Sequence, residues 1–398
     1  MRKNRKIKQK IISMAVSFAL IINALPLSGV SEFFGVPTVL TASAYTEEST
    51  WTGVHDYNFQ NSDDFVSYCH WYATDATFAN NHKNDTISIS LTNATISDDY
   101  PGLGTSANPF QGTVTFADST SLTITTNRAF FSYLSDKASI VGTGSTPSDF
   151  TLIINRPGSV AEGTSAPVLA DHIVHYTGNP EDENDNEVTV AKGWKVQVTG
   201  GGTFSGAIGE IGNGALVDLT FTNNTGNNIE SKAANEAGSI PDAGLFCGSM
   251  GSNSVYTVKY VSSNALSHDT TSTNGNAGTF VGTMGTSSTL NVVTDITTIS
   301  SDVKASGAEA GGKGNAGGLV GYMDSTAVVQ LKETAEGNAD RSLSTLTIGG
   351  SATGNNGAGG LYGRYGFNSV ASLNLNDYNV TATVSGKYCG GLFGVLET

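Results

Sequence analysis

The sequence predicts an all-β protein in which parallel strands stack as a β-solenoid of repeated units of about 38 residues, behind an N-terminal capping segment with a short helix. Three observations predict it. Glycine is 48 of 398 residues while Asp, Glu, Lys and Arg together make 14 %, which disfavours long salt-bridged helices. Short runs of alternating apolar and small polar residues, bounded by Gly, Asn, Asp or Pro, recur from residue 86 onward. A glycine-bracketed apolar motif then returns at near-constant spacing, the mark of a repeat architecture.

The first element is an export signal, residues 1–44. A basic stretch from Met1 to Lys10 precedes an apolar run from Ile11 to Leu25, too short to span a bilayer comfortably but the length of a signal-peptide apolar region. Pro26 ends the run, and Ala42-Ser43-Ala44 offers a small-residue cleavage site before Tyr45. The expected location is therefore secreted or cell-surface, with cleavage after Ala44 and no membrane span in the mature chain. Those 44 residues hold six of the 20 basic residues and one of the 35 acidic ones, leaving the rest with a net charge of −20. Phosphate recognition needs clustered Lys and Arg, so nucleic acid is not an expected partner.

Residues 45–85 form the capping segment, carrying Trp51, Phe59, Phe65, Tyr68, Trp71, Tyr72 and Phe78. Ser62 followed by Asp63 and Asp64 reads as an N-cap with first-turn acids, and Phe65, Tyr68, Cys69, Tyr72 and Ala76 fall on one helical face.

Residues 86–398 form the repeat domain. Its first strands centre on Ile87 and Ile89, on Val114 and Phe116, and on Leu122 and Ile124. The motif is clearest late in the chain: Gly317-Gly318-Leu319-Val320-Gly321, Gly359-Gly360-Leu361-Tyr362-Gly363 and Gly390-Gly391-Leu392-Phe393-Gly394 share the pattern G-G-L-x-G. Ala243-Gly244-Leu245-Phe246-Cys247-Gly248 and Ala277-Gly278-Thr279-Phe280-Val281-Gly282 read as the same motif with one residue inserted before the last glycine. Looser copies stand at Gly206-Ala207-Ile208-Gly209, Pro167-Val168-Leu169-Ala170 and Ala129-Phe130-Phe131-Ser132. Taken at positions 129, 167, 206, 244, 278, 318, 360 and 391, the steps are 38, 39, 38, 34, 40, 42 and 31. A small-polar turn and a period-two strand follow each motif. Propeller blades of similar length are disfavoured, because Trp194 is the sole tryptophan after residue 71. In a solenoid the glycines would supply left-handed corners and close approach, and the aliphatic residues between them would line a continuous apolar column.

The G-G-L-x-G motif followed by a Thr- and Ser-rich strand resembles the GLUG-type repeat of secreted and cell-surface, adhesin-like proteins of bacteria. The stretch Gly102-Leu103-Gly104 with Asn108-Pro109-Phe110-Gln111-Gly112 is similar to the turn that opens the first coil of such β-helical proteins. The resemblance implies a surface module with a presentation or adhesion role; with no catalytic constellation in the sequence, the expectation is a non-catalytic chain without cofactor that presents loops or a face for attachment to carbohydrate or to a protein surface. A polysaccharide lyase or hydrolase on a β-helix, and a purely structural spacer in a larger surface protein, are the alternatives.

Candidate chemistry is sparse. The acidic run Glu181, Asp182, Glu183, Asp185 and Glu187 is the one place where Ca²⁺ would find oxygen ligands, but it lacks the spacing of a calcium loop and reads first as a solvated loop. His172 and His175 are three apart and would face opposite sides of a strand, which disfavours a shared metal. Arg364 with Tyr362 and Tyr365 is the one arginine with aromatic company, a contact for a sugar ring if the three share a face, and otherwise an outward turn. The three cysteines, Cys69, Cys247 and Cys389, give no disulfide framework, and Cys247 reads as a small buried hydrophobe.

Overall fold

The computed structural model describes residues 55–96, 99–117, 120–125, 128–142, 151–156, 166–177, 191–223, 229–231, 241–261, 265–307, 312–332, 345–366 and 378–397. Two compact units separate, Met1–Thr46 and Glu47–Thr398. The first, with the expected export signal, lies outside the described residues, as does the acidic run 181–187.

The second unit is an all-β fold of parallel sheets with two helices. Sheet 1 runs Asp56–Phe59, Thr86–Ile89, Thr113–Phe116, Ser139–Gly142. Sheet 2 runs Ala94–Ile96, Ser121–Ile124, Leu152–Arg156, Ala191–Gly200, Leu216–Asn223, Val255–Tyr260, Thr289–Thr294, Val328–Lys332. Sheet 3 runs Phe131–Ser135, Ala170–Val174, Ile208–Ile211, Cys247–Met250, Val281–Met284, Val320–Met323, Tyr362–Gly366, Phe393–Glu397. Sheet 4 holds nine strands, among them Thr270–Ser272, Thr298–Ala305, Leu346–Gly359 and Thr383–Gly390. In sheets 1 to 3 the order in space is the order in the chain, and successive strands are parallel neighbours. From residue 247 to 366 the chain passes from sheet 3 to sheet 2 to sheet 4 and back to sheet 3.

Strand patterns follow from period two. Leu216–Asn223 alternates with Val217, Leu219 and Phe221 inward, and Thr289–Thr294 buries Leu290 and Val292. Leu216 lies on the outer side, because the strand is phased on Val217.

The pairing register corrects the motif alignment. Phe131, Ala170, Ile208, Cys247, Val281, Val320, Tyr362 and Phe393 form one file across sheet 3. Neither the Leu245 nor the Phe280 motif carries an insertion: both keep six-residue spacing with Ala316-to-Gly321, and Leu245 and Thr279 occupy the place of Gly318. The residues that stack are therefore Phe246, Phe280, Leu319 and Leu361, each backbone N–H donating to the carbonyl of the next at 2.9–3.0 Å. All four are fully buried, whereas Leu392 at the end of the series is only half-buried.

The glycines act by close approach more than by handedness. Of the motif glycines only Gly206 has positive φ, at 102°. A Cβ on Gly317 would lie 1.9 Å from the Val320 carbonyl oxygen, and on Gly278, Gly359 and Gly390 the same atom would meet the carbonyl three residues on at 2.1–2.2 Å. The closing glycines Gly282, Gly321, Gly363 and Gly394 each face backbone atoms of a neighbouring motif, within 2.3–2.7 Å of an added Cβ. The corner is so tight that no side chain fits.

Helix α1 (Ser62–Thr74) and helix α2 (Ala76–His82) replace the single expected helix. Asn61, not Ser62, caps α1, accepting from the Asp64 N–H. Asp75 accepts from the N–H groups of Thr77 and Phe78 and so starts a new helix. The capping segment also contributes Asp56–Phe59, the first strand of sheet 1. Phe65 of α1 stacks on Phe130 with centroids 5.4 Å apart, and the Tyr72 hydroxyl donates to the Asn108 carbonyl at 3.2 Å. Among the described residues no helix is long and apolar enough to cross a membrane.

Candidate functional site

Parallel pairing in register places like positions of successive strands side by side, about 4.8 Å apart. On sheet 3 this aligns one outward file of eight residues: Tyr133, His172, Glu210, Ser249, Thr283, Tyr322, Arg364 and Val395. Every member is half-buried. The file is about 34 Å long.

Two aromatic and charged groups lie along it. The Tyr133 and His172 rings stack at 4.3 Å with planes 13° apart, and His172 Nδ1 lies 3.1 Å from Glu210 Oε2. The His172 hydrogen bond holds the Glu210 carboxyl below its usual range, against the opposing effect of burial. Burial and then the nearby Glu210 and Asp171 carboxylates push the Tyr133 hydroxyl up, so it remains a donor. Farther along, the Arg364 guanidinium sits 5.6 Å from the centroid of Tyr322, and its NH2 donates to Glu397. Ser249 and Thr283 form a small polar stretch between the two groups. Stacked rings, a carboxylate and a guanidinium are the groups with which a sugar's C–H face and hydroxyls are held.

The residues expected to form a sugar contact divide. Arg364 lies in this file, but Tyr362 and Tyr365 are 0 % and 3 % exposed. They pack with Phe393 in the interior instead, at centroid distances of 5.8 and 5.4 Å. The aromatic partner of Arg364 is Tyr322, one strand away and 42 residues earlier.

His172 and His175 are also apart. His175 Nδ1 lies 2.9 Å from the buried carboxylate of Asp136, which further accepts from the Tyr176 and Leu216 N–H groups. Asp136 thus ties sheet 3 to sheet 2. Nearby, burial pushes the Asp171 carboxyl up to about 6, opposed by His172, Arg128 and Arg156. Cys247 is fully buried, its Sγ directed at the Ser249 carbonyl, and desolvation pushes the thiol up so that it stays protonated.

A separate cluster sits at the start of sheet 1, where His55, His82 and Asp85 converge. A turn brings His82 to Asp85 three residues on, while His55 joins them only through strand register, 30 residues away in sequence. Among the described residues no outward file carries acids on three successive strands of a sheet. No protein-family model, curated protein or solved structure matches the chain.

Proposed function

We propose that this chain is a secreted, non-catalytic β-solenoid of the adhesin-like kind suggested by its G-G-L-x-G repeats, and that it attaches to an extended carbohydrate along the outer side of sheet 3. The four sheets are the walls of the stacked coils, and the recurrence of a sheet 3 strand every 31 to 42 residues supports that reading. The observation that carries the binding role is the half-exposed file with Tyr133 and His172 near one end and Tyr322 and Arg364 near the other. A linear, repetitive polymer lies naturally along a linear, repetitive surface. Apolar contact with the outer edges of the rings, which face one another and Arg364 along the file, gives it affinity while Glu210 and Arg364 give it orientation.

The test is a glycan array probed with the purified chain, followed by the same array with Tyr133→Ala and Tyr322→Ala. Specific retention that both substitutions weaken supports attachment through this face. Retention unaffected by either moves binding elsewhere on the molecule. Release of reducing or unsaturated sugar ends supports the alternative of a polysaccharide-degrading enzyme, and silence across the array supports a structural spacer.

A further inference from the structure

The start of sheet 1 holds an arrangement that the binding face does not use. Asp56–Phe59 pairs with Thr86–Ile89 in parallel register, Asp56 opposite Thr86. The residues just before each strand, His55 and Asp85, are therefore level with one another, and the Thr86 N–H donates to the His55 carbonyl at 2.8 Å. His82, the last residue of α2, is brought to the same point by a turn in which the Asp85 N–H donates to the His82 carbonyl.

The side chains converge. His55 Nδ1 lies 2.8 Å from Asp85 Oδ1, and His82 Nδ1 lies 2.7 Å from Asp85 Oδ2. One ligand atom from each of the three residues falls within a 4.8 Å sphere of mutual distances. The Tyr57 hydroxyl stands 3.2 Å from the same His82 nitrogen, and Tyr68 donates to Asp85 Oδ2 at 2.8 Å.

The charge arithmetic is unusual. Asp85 is 1 % exposed, and among the described residues its side-chain partners are two histidines and a tyrosine, with no Lys or Arg. A buried carboxylate is costly unless it is paired with positive charge. A divalent cation between the three ligand atoms would supply that partner.

We propose that His55, His82 and Asp85 form a binding site for a borderline divalent transition-metal ion, of which Zn²⁺ is the type. Two imidazole nitrogens and one carboxylate oxygen are the donor set that such ions take, with the fourth position left for water or a nearby hydroxyl. Coordination lengths of about 2.0–2.1 Å require the N–O pairs to open by roughly half an ångström. Each imidazole binds through Nδ1 and keeps its proton on Nε2. The frame is fixed by backbone contact: a Cβ on Gly112 would lie 2.0 Å from the Asp85 carbonyl oxygen. Access is provided by His55, whose side chain is 61 % exposed while those of His82 and Asp85 are 4 % and 1 % exposed.

The experiment takes the full chain without an affinity tag, stripped with chelator, and titrates it with ZnCl2 by calorimetry and with CoCl2 by visible absorption. The expected result is one ion per chain, a cobalt spectrum of four-coordinate type and a raised thermal midpoint with zinc. His55→Ala is the decisive variant, because His55 is exposed and its loss leaves the core intact. It should weaken uptake at least tenfold and abolish the zinc-dependent rise in midpoint, with an unchanged far-ultraviolet spectrum. His172→Ala should retain full uptake. No uptake by the parent chain, or undiminished uptake by His55→Ala, overturns the site. Asp85→Asn, which keeps the hydrogen-bonding shape and removes the charge, gives a second reading: unchanged affinity there also overturns it.

Discussion

Phe246 stacks on Phe280, ring centroids 4.9 Å apart and planes inclined by 30°. The contact joins residues 34 positions apart and repeats, with Leu319 and Leu361, down the same interior file. Phe280 is enclosed on both sides by that file, so truncating it leaves a hole that neighbours bonded at fixed spacing cannot close. Phe280→Ala is expected to cost ~3–5 kcal/mol and Phe280→Leu under about 1.5 kcal/mol, measured by denaturant unfolding.

Two glycines of one sequence pattern should behave differently. Gly317→Ala drives a Cβ to 1.9 Å from the Val320 carbonyl oxygen, whereas a Cβ on Gly391 meets nothing within 4 Å. The first substitution should destabilise by roughly 1–3 kcal/mol or more, and the second should fall within about 0.5 kcal/mol of zero. Unfolding midpoints of the pair check this.

Asp136 accepts the Leu216 N–H across 80 residues of chain, at 3.2 Å. Asp136→Ala strands the half-buried N–H groups of Tyr176 and Leu216 and should cost about 1–3 kcal/mol. Faster hydrogen exchange at the Leu216 amide, with little change at Leu290 on the same sheet, locates the loss.

The Asp171 carboxyl, raised to about 6 by burial against an ordinary value of 3.8, sets a pH dependence. Its folded form holds the proton more tightly than its unfolded form, so the contribution is fully present below about pH 4 and is lost as pH rises through 6. The parent chain should therefore lose stability across that interval relative to Asp171→Asn. Parallel thermal unfolding curves for the two proteins between pH 4 and 7 would contradict this.

Thiol labelling provides an independent check on packing. Cys69 and Cys247 are buried and Cys389 is exposed, and burial pushes the first two thiols up. A thiol reagent should modify one cysteine per native chain, at Cys389, and all three after denaturation.

Much of the architecture was legible because its signals are local. Alternation at Ile87 and Ile89 or Leu290 and Val292 reports a strand directly, and tight corners force glycine at Gly317, Gly359 and Gly390, which exposes the period. The alignment of Leu245 was misread because a side chain tolerated in the place of Gly318 resembles an insertion. Pairing register, not spelling, distinguishes the two. The same limit hid both side-chain arrangements of interest. Tyr322 meets Arg364, and His55 meets Asp85, only after strands far apart in sequence are laid edge to edge. The pairing of Arg364 with Tyr362 and Tyr365 failed for a related reason: the strand buries both tyrosines, so proximity in sequence did not put them on one face.

In sheets 1 to 3 each strand bonds to the strand one unit before it and the strand one unit after it, and to no other in its sheet. In the proposed solenoid, duplicating or deleting one whole unit would leave every remaining neighbour relation of the same kind, so the number of units would be free to drift by gene-level copying. Folding of the proposed solenoid would inherit the same property: the chain distance to be closed in adding a layer would not grow with the number of layers already in place.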